Sequence, residues 1–124
     1  MRLLLDTHVA LWWVSDDERV SEAAARHMTD DTNQLLLSAA VVWEIAVKRS
    51  LGKLAVTDEY LPLLLDAGVR PLPINLEHAA GVEQLPWHHR DPFDRLLVAQ
   101  AGIEGAAIMS RDDALAAYDV PVIW

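Results

Sequence analysis

The sequence predicts an α/β fold, a three-layer α/β/α sandwich around a parallel sheet of four to five strands, on three observations. Leu3-Leu4-Leu5 is a short apolar run that stops on Asp6. Ala106-Ala107-Ile108-Met109 is a second such run, leading into Ser110-Arg111-Asp112-Asp113. Continuous apolar runs are what strands covered on both faces require, whereas half-exposed strands alternate. The third observation is that strand-like runs alternate with capped helical segments, and parallel strands need such crossovers.

Each element has a local cause. Arg2 to Leu5 forms the first strand, and His8 to Val14 is apolar enough for a short helix behind it. Ser21 caps a helix over Glu22 to Met28, since a serine hydroxyl accepts from the free backbone N–H groups of the first turn. Gln34 to Leu37 is the second strand. Ser38 then caps a helix from Ala40 to Ser50, with Gly52 as its stop. Asp58 to Ala67 is helical provided that Pro62 lies in the first turn, and Gly68 ends it. Val69 to Ile74 carries two prolines and is therefore an edge strand. Asn75 caps a helix over Leu76 to Leu85, Pro86-Trp87-His88-His89-Arg90 is a loop, and Asp91-Pro92-Phe93-Asp94 opens a helix running to Ile103. The strand Ala106 to Met109, a helix over Asp112 to Tyr118 and a strand over Val120 to Ile123 complete the chain.

At 124 residues the chain is expected to be one domain, residues 1–124. Cysteine is absent, which excludes a disulfide framework, thiol catalysis and thiolate metal sites. The first strand starts at Met1 with no basic leader ahead of it, and no apolar stretch approaches the ~20 residues of a membrane span. The expectation is a cytoplasmic, unprocessed protein with no membrane contact. A net charge of -9 argues against indiscriminate binding to nucleic acid, but bound metal ions or a basic partner would offset it, so a phosphate-bearing substrate stays open.

The acids carry the functional signal. Asp6 is either the cap of the following helix or a ligand at a strand's carboxyl end, where open α/β sheets bind their ligands. Glu44 is the only charge in Val41-Val42-Trp43-Glu44-Ile45-Ala46-Val47 and projects from an apolar helix face; the plainer account is an i, i+4 pair with Lys48. Asp91 fits an N-cap with Pro92 at the first helical position, which puts Asp94 in the first turn beside the apolar Leu97, Val98 and Ala101. Ser110 and Asp113 make a capping box, leaving Asp112 as the spare ligand. Taken together, carboxylates from two strand ends and two helix starts, without cysteine or a spaced histidine cluster, suit Mg²⁺ or Mn²⁺. Such ions lower the pKa of an attacking water and stabilise a leaving oxygen, and the reaction class implied is phosphodiester hydrolysis. Lys48, Arg49, Lys53, Arg90, Arg95 and Arg111 all lie near these acids. His88 and His89 are adjacent, a poor spacing for zinc, and read as loop contacts; His8 reads as packing. Trp12, Trp13, Trp43 and Trp124 read as core or subunit interface, and Trp87 as a base-stacking candidate.

In their order along the chain, Leu4-Leu5-Asp6-Thr7-His8, Glu44, Asp91-Pro92-Phe93-Asp94-Arg95-Leu96-Leu97-Val98-Ala99-Gln100-Ala101 and Ser110-Arg111-Asp112 resemble a PIN-domain ribonuclease of the VapC toxin type. The likeness spans essentially the whole chain, and the part around Asp112 is its loosest. The resemblance implies a PIN-like nuclease fold whose catalytic and metal-ligating acids map onto Asp6, Glu44, Asp94 and Asp112, with Thr7 and Ser110 as supporting hydroxyls. It further implies Mg²⁺ or Mn²⁺ as cofactor, RNA as substrate, a homodimer, and a cognate VapB-like antitoxin that neutralises the site. Arg95 and Arg111 then steady the phosphate, with Arg90, Lys48 and Trp87 as further RNA contacts.

Three rivals remain. A phosphoacceptor receiver domain needs an adjacent acidic pair after the first strand and a lysine near a late strand end, and neither is present. A haloacid-dehalogenase-like phosphatase needs an Asp where His8 stands. The third rival is a catalytically silent binding module whose acids are caps and surface charges.

Overall fold

A computed structural model describes residues 1–124. The chain runs β1 (Arg2–Leu5), α1 (Thr7–Val14), α2 (Glu22–Thr29), β2 (Gln34–Ser38), α3 (Ala39–Ser50), α4 (Tyr60–Asp66), β3 (Arg70–Leu72), α5 (Leu76–Gly81), α6 (Pro92–Glu104), β4 (Ala107–Met109) and β5 (Val122–Ile123). The five strands form one parallel sheet in the order β3-β2-β1-β4-β5, in the α/β class expected.

The three central strands are buried along almost their whole length. Leu3, Leu4 and Leu5 have no exposed surface; Leu36, Leu37, Ala107, Ile108 and Met109 have almost none. That is why these runs are continuous and not alternating: helices cover both faces. Each fully buried leucine contributes ~1.5 to 3 kcal/mol. Register pairs Leu4 with Leu36 on one side and with Ile108 on the other, so β1 is the central strand of the core.

Caps set most boundaries. Asp6, Ser21, Ser38, Asn75 and Asp91 each accept a backbone N–H at the start of α1, α2, α3, α5 and α6. Gly105 ends α6 in the left-handed region, φ 64°, which glycine alone adopts without strain and which turns the chain directly into β4.

Several elements are shorter than predicted, among them the helix expected over Asp58 to Ala67, which spans Tyr60–Asp66. The helix expected over Leu76 to Leu85 stops at Gly81 and continues as a 3₁₀ turn over Val82–Gln84. The helix expected over Asp112 to Tyr118 is a 3₁₀ turn, Asp113–Ala117. The strand expected over Val69 to Ile74 retains only Arg70–Leu72, an edge as foreseen, because Pro71 and Pro73 have no N–H to give a ladder. The last strand is Val122–Ile123.

The tryptophans are not fully enclosed, although Trp13 and Trp124 pack against the core. Trp43 is 56% exposed, packed edge-on against Phe93, and Trp12, Trp13 and Trp124 are only half-buried. His8 is exposed, its ring 5.6 Å from that of Trp12. No helix is long and apolar enough to cross a membrane.

Candidate metal centre

The strand order contains one reversal. From β1 the chain builds outward through β2 and β3, then returns to the other side of β1 for β4 and β5. The carboxyl ends of β1 and β4 therefore flank a switch point, the place where open α/β sheets leave a crevice for a ligand. Asp6 follows β1 and Ser110 follows β4, and they touch: the Ser110 hydroxyl donates to Asp6 Oδ2 across 104 residues of sequence. Asp6 Oδ1 accepts from the Val9 N–H as the cap of α1. Asp6 is thus the cap of α1 through one oxygen, while its other oxygen meets Ser110 at the switch point.

Glu44 reaches the same crevice from α3. It is 5% exposed, accepts from Thr7 Oγ1 at 2.5 Å, and pairs through its other oxygen with Lys48 Nζ at 2.6 Å. The helix-surface ion pair and the buried acid are therefore one arrangement. Lys48 is engaged by that contact, which leaves it a weaker RNA candidate than the sequence suggested.

Asp94 enters from the first turn of α6 and Asp112 from the end of β4. Asp91 caps α6 as expected, accepting from Phe93 N and Asp94 N, and this turns Asp94 toward the crevice. Asp112 is itself the cap of the following turn, accepting from Ala114 N. The capping box expected between Ser110 and Asp113 is absent. Ser110 donates to Asp6 and accepts only from the Asp112 N–H, so the capping duty falls on Asp112.

The electrostatics are those of crowded negative charge. Burial, with Asp91, Glu44 and Asp6 adding repulsion, pushes the Asp94 carboxyl up to about 7, against a favourable contribution from His89. Burial also raises Asp6, partly offset by its bond from Ser110.

A histidine that the sequence left as a loop contact stands among these acids. His89 Nε2 lies 3.4 Å from Asp94 Oδ2 and 3.5 Å from Asp112 Oδ2. Its approach depends on a loop whose course is irregular, so no periodicity announces it.

Arg95 overturns a second expectation. It is 3% exposed and has no carboxylate partner. Its guanidinium donates to the carbonyls of Pro86, Val82 and Leu85 at 2.9, 3.1 and 3.3 Å and to Tyr118 Oη at 3.3 Å, and it lies 3.8 Å from the Trp87 ring centroid. Its terminal nitrogens are used on the 82–89 loop and Tyr118, an arrangement that holds the loop in place and leaves little of the guanidinium for a phosphate. Arg95→Ala is expected to destabilise the fold by ~3 kcal/mol, because several charge-assisted bonds that hold the 82–89 loop vanish together and a cavity replaces a buried side chain. Arg95→Lys should rescue little, since one ammonium cannot span that set of acceptors. Thermal unfolding checks both; a change below ~0.5 kcal/mol, the scale of an ordinary surface substitution, would show that the loop is held otherwise. Trp87 is 76% exposed and Arg90 and Arg111 are exposed without ion pairs, so these three stay available to a ligand. Arg111 also approaches the Trp12 ring at 6.0 Å.

A PIN domain family model matches residues 3–121. Ribonuclease VapC22 of Mycobacterium tuberculosis is 30% identical over 128 residues, covering 98% of this chain and 98% of that protein. Among solved structures, VapBC2 from Rickettsia felis bound to a promoter DNA fragment superposes with a TM-score of 0.74 at 11% identity, over 99% of this chain and 98% of that one. FitAcB from Neisseria gonorrhoeae superposes with a TM-score of 0.62 at 20% identity, over 98% and 96%. At those identities the structural likeness speaks for the fold alone.

Proposed function

The chain belongs to the PIN domain family, and on that premise we propose that it is a divalent-metal-dependent endoribonuclease, the toxin of a toxin–antitoxin pair. The whole of 1–124 acts as one catalytic unit. Asp6, Glu44, Asp94 and Asp112 would hold Mg²⁺ or Mn²⁺, and the observation that carries this is the convergence of acids at the β1/β4 switch point, where Asp94 is pushed up to about 7. The donors are all carboxylate oxygens, which suit a hard cation, and a cation offsets the repulsion that burial and neighbouring acids impose. The similarity to a protein named a ribonuclease supports RNA as the substrate.

When bound, the ion supplies acidification of a water and stabilisation of charge on the leaving oxygen. The chain's own residues do the rest. Ser110 holds Asp6 and Thr7 holds Glu44, fixing which oxygen of each faces the crevice. Arg111, an exposed cation one residue from Asp112, offers charge to a phosphate entering between the carboxylates, and Arg90 extends that rim. Trp87 presents an exposed ring to an unstacked base, as single-stranded RNA recognition uses.

The complexes that this fold resembles are named VapBC and FitAcB, which supports a VapB-like antitoxin as partner. A net charge of -9 favours a basic antitoxin segment, and a second copy of the chain is the other expected partner. RNA cleavage by the purified chain tests the activity: turnover with Mg²⁺ or Mn²⁺ that EDTA abolishes is expected, and metal-independent cleavage or none with either ion would overturn it.

A further inference from the structure

We propose that His89 is a substrate contact of the nuclease site, a fixed N–H donor aimed at the phosphate, and that it is not a ligand of the metal. This rests on the ribonuclease reading above. His89, Asp94 and Asp112 each offer an atom within 4.8 Å of the others, a grouping that at first sight suggests a third ligand. The opposite ring nitrogen argues otherwise. His89 Nδ1 accepts the Asp91 backbone N–H at 3.1 Å, so Nδ1 is bare and the proton sits on Nε2. A metal-bound histidine has the reverse arrangement, a bare nitrogen on the ion and the other N–H donated to an acceptor. Ligation through Nε2 would turn an Nδ1–H onto the Asp91 N–H, donor against donor.

The ring is held from behind. The His89 N–H donates to Tyr118 Oη at 2.9 Å, and buried Tyr118 takes a second bond on that oxygen from Arg95 Nη1 at 3.3 Å. Arg95 also holds the Val82, Leu85 and Pro86 carbonyls of the same loop. A buried arginine without a carboxylate partner thus fixes the loop that carries His89, which gives its burial a purpose beyond stability.

The donor has no partner of its own. At 3.4 and 3.5 Å from Asp94 and Asp112, Nε2 is beyond the ~2.7 to 3.2 Å of a full N–H···O bond. It lies near both carboxylates at once. A non-bridging phosphate oxygen bound beside those acids comes within reach of both Nε2–H and the cation they hold, and an N–H preset toward developing negative charge acts chiefly on turnover.

Two measurements decide this. In ¹⁵N-labelled protein, the His89 imidazole should keep its Nε2–H and bare Nδ1 before and after Mg²⁺ is added, and the Nε2–H signal should move when a short phosphorothioate-linked oligoribonucleotide follows. Loss of the Nε2 proton on adding Mg²⁺, or no response to the oligonucleotide, overturns the proposal. In kinetics, His89→Ala should lower kcat ~30-fold or more, within the range of one preorganised donor or proton-handling group, with Mn²⁺ affinity by calorimetry within twofold of wild type. His89→Gln, which restores an N–H near the Nε2 position, should recover part of that loss. Unchanged kcat in His89→Ala, or a tenfold loss of Mn²⁺ affinity, sinks the idea. Absence of RNA cleavage by the wild type would instead sink the ribonuclease reading, and the imidazole spectra still decide between donor and ligand.

Discussion

Asp94→Asn is expected to abolish metal-dependent RNA cleavage, by a thousandfold or more, while making the metal-free protein more stable at pH 8. The two effects have one cause. Asp94 carries its charge in a half-buried position against Asp91, Glu44 and Asp6, and its carboxyl is pushed up to about 7. Asparagine keeps the volume and removes the charge, so the repulsion disappears along with the capacity to hold a cation. The lost helix-dipole complement at the first turn of α6 costs ~0.3 to 1 kcal/mol, less than the relief of a buried like-charge cluster. A thousandfold loss corresponds to ~4 kcal/mol of transition-state stabilisation, the scale expected when a metal ligand is removed. Asp6→Asn should lose cleavage to a similar degree without the same gain. Its amide nitrogen would meet the Ser110 hydroxyl that now donates to Oδ2, and that serine must rotate while still accepting from Asp112 N. RNA cleavage paired with thermal unfolding at pH 8 checks both variants. Retained cleavage in Asp94→Asn, or a lower melting temperature with no metal present, would mean that Asp94 serves only the dipole of α6 and the centre lies elsewhere.

What the sequence discloses divides by range. Leu3-Leu4-Leu5 and Ala107-Ile108-Met109 are legible as covered strands because two-sided burial forbids alternation, and Asp6, Ser21, Ser38, Asn75 and Asp91 are legible as caps because a capping oxygen and the backbone N–H it accepts from lie two or three residues apart. The misassignments arise where a distant partner overrides a local rule. Ser110 reads as the start of a capping box until Asp6, 104 residues away, takes its hydroxyl and passes the cap to Asp112. Arg95 follows an acid in an exposed-looking helix start, and reads as a surface cation; it is buried because the irregular 82–89 loop folds over it and supplies carbonyls that no periodicity predicts. His89, adjacent to His88, does not have the spacing of a zinc ligand pair and so carries no signal in the sequence. Its importance lies instead in a tautomer fixed by the backbone two residues on. Trp43 sits in an apolar run yet is 56% exposed, because one helix cannot bury every face of Val41 to Val47 against a single sheet.

Without a divalent cation, the melting temperature should fall as pH rises from 5 to 8, and Mg²⁺ or Mn²⁺ should restore it at the upper end. The sign follows from proton binding. A carboxyl whose folded value lies above its unfolded one holds its proton longer in the native state, so between the two values the folded protein binds more protons and stability declines with pH. For Asp94 the window runs from 3.8 to about 7. Asp6, raised by burial, acts in the same direction. Asp17, lowered to about 2 by Arg19, and Asp30, lowered by Thr32, contribute stability that is lost only in stronger acid, so they do not oppose the trend above pH 5. Glu104, lowered by its bond to His78, belongs with them. A displacement of that size is worth ~4 kcal/mol at most, and with water reaching part of Asp94 a fall of ~2 kcal/mol is the realistic expectation, or several degrees in a chain of this length. A cation at a hundred times its Kd returns ~2.7 kcal/mol, enough to flatten the profile. Asp94→Asn removes the group with the larger displacement and should make the metal-free profile shallower, leaving only the smaller slope from Asp6. A metal-free melting curve that holds level or rises from pH 5 to 8, or one that Mg²⁺ and Mn²⁺ leave unmoved, would show that these carboxylates do not share a cation.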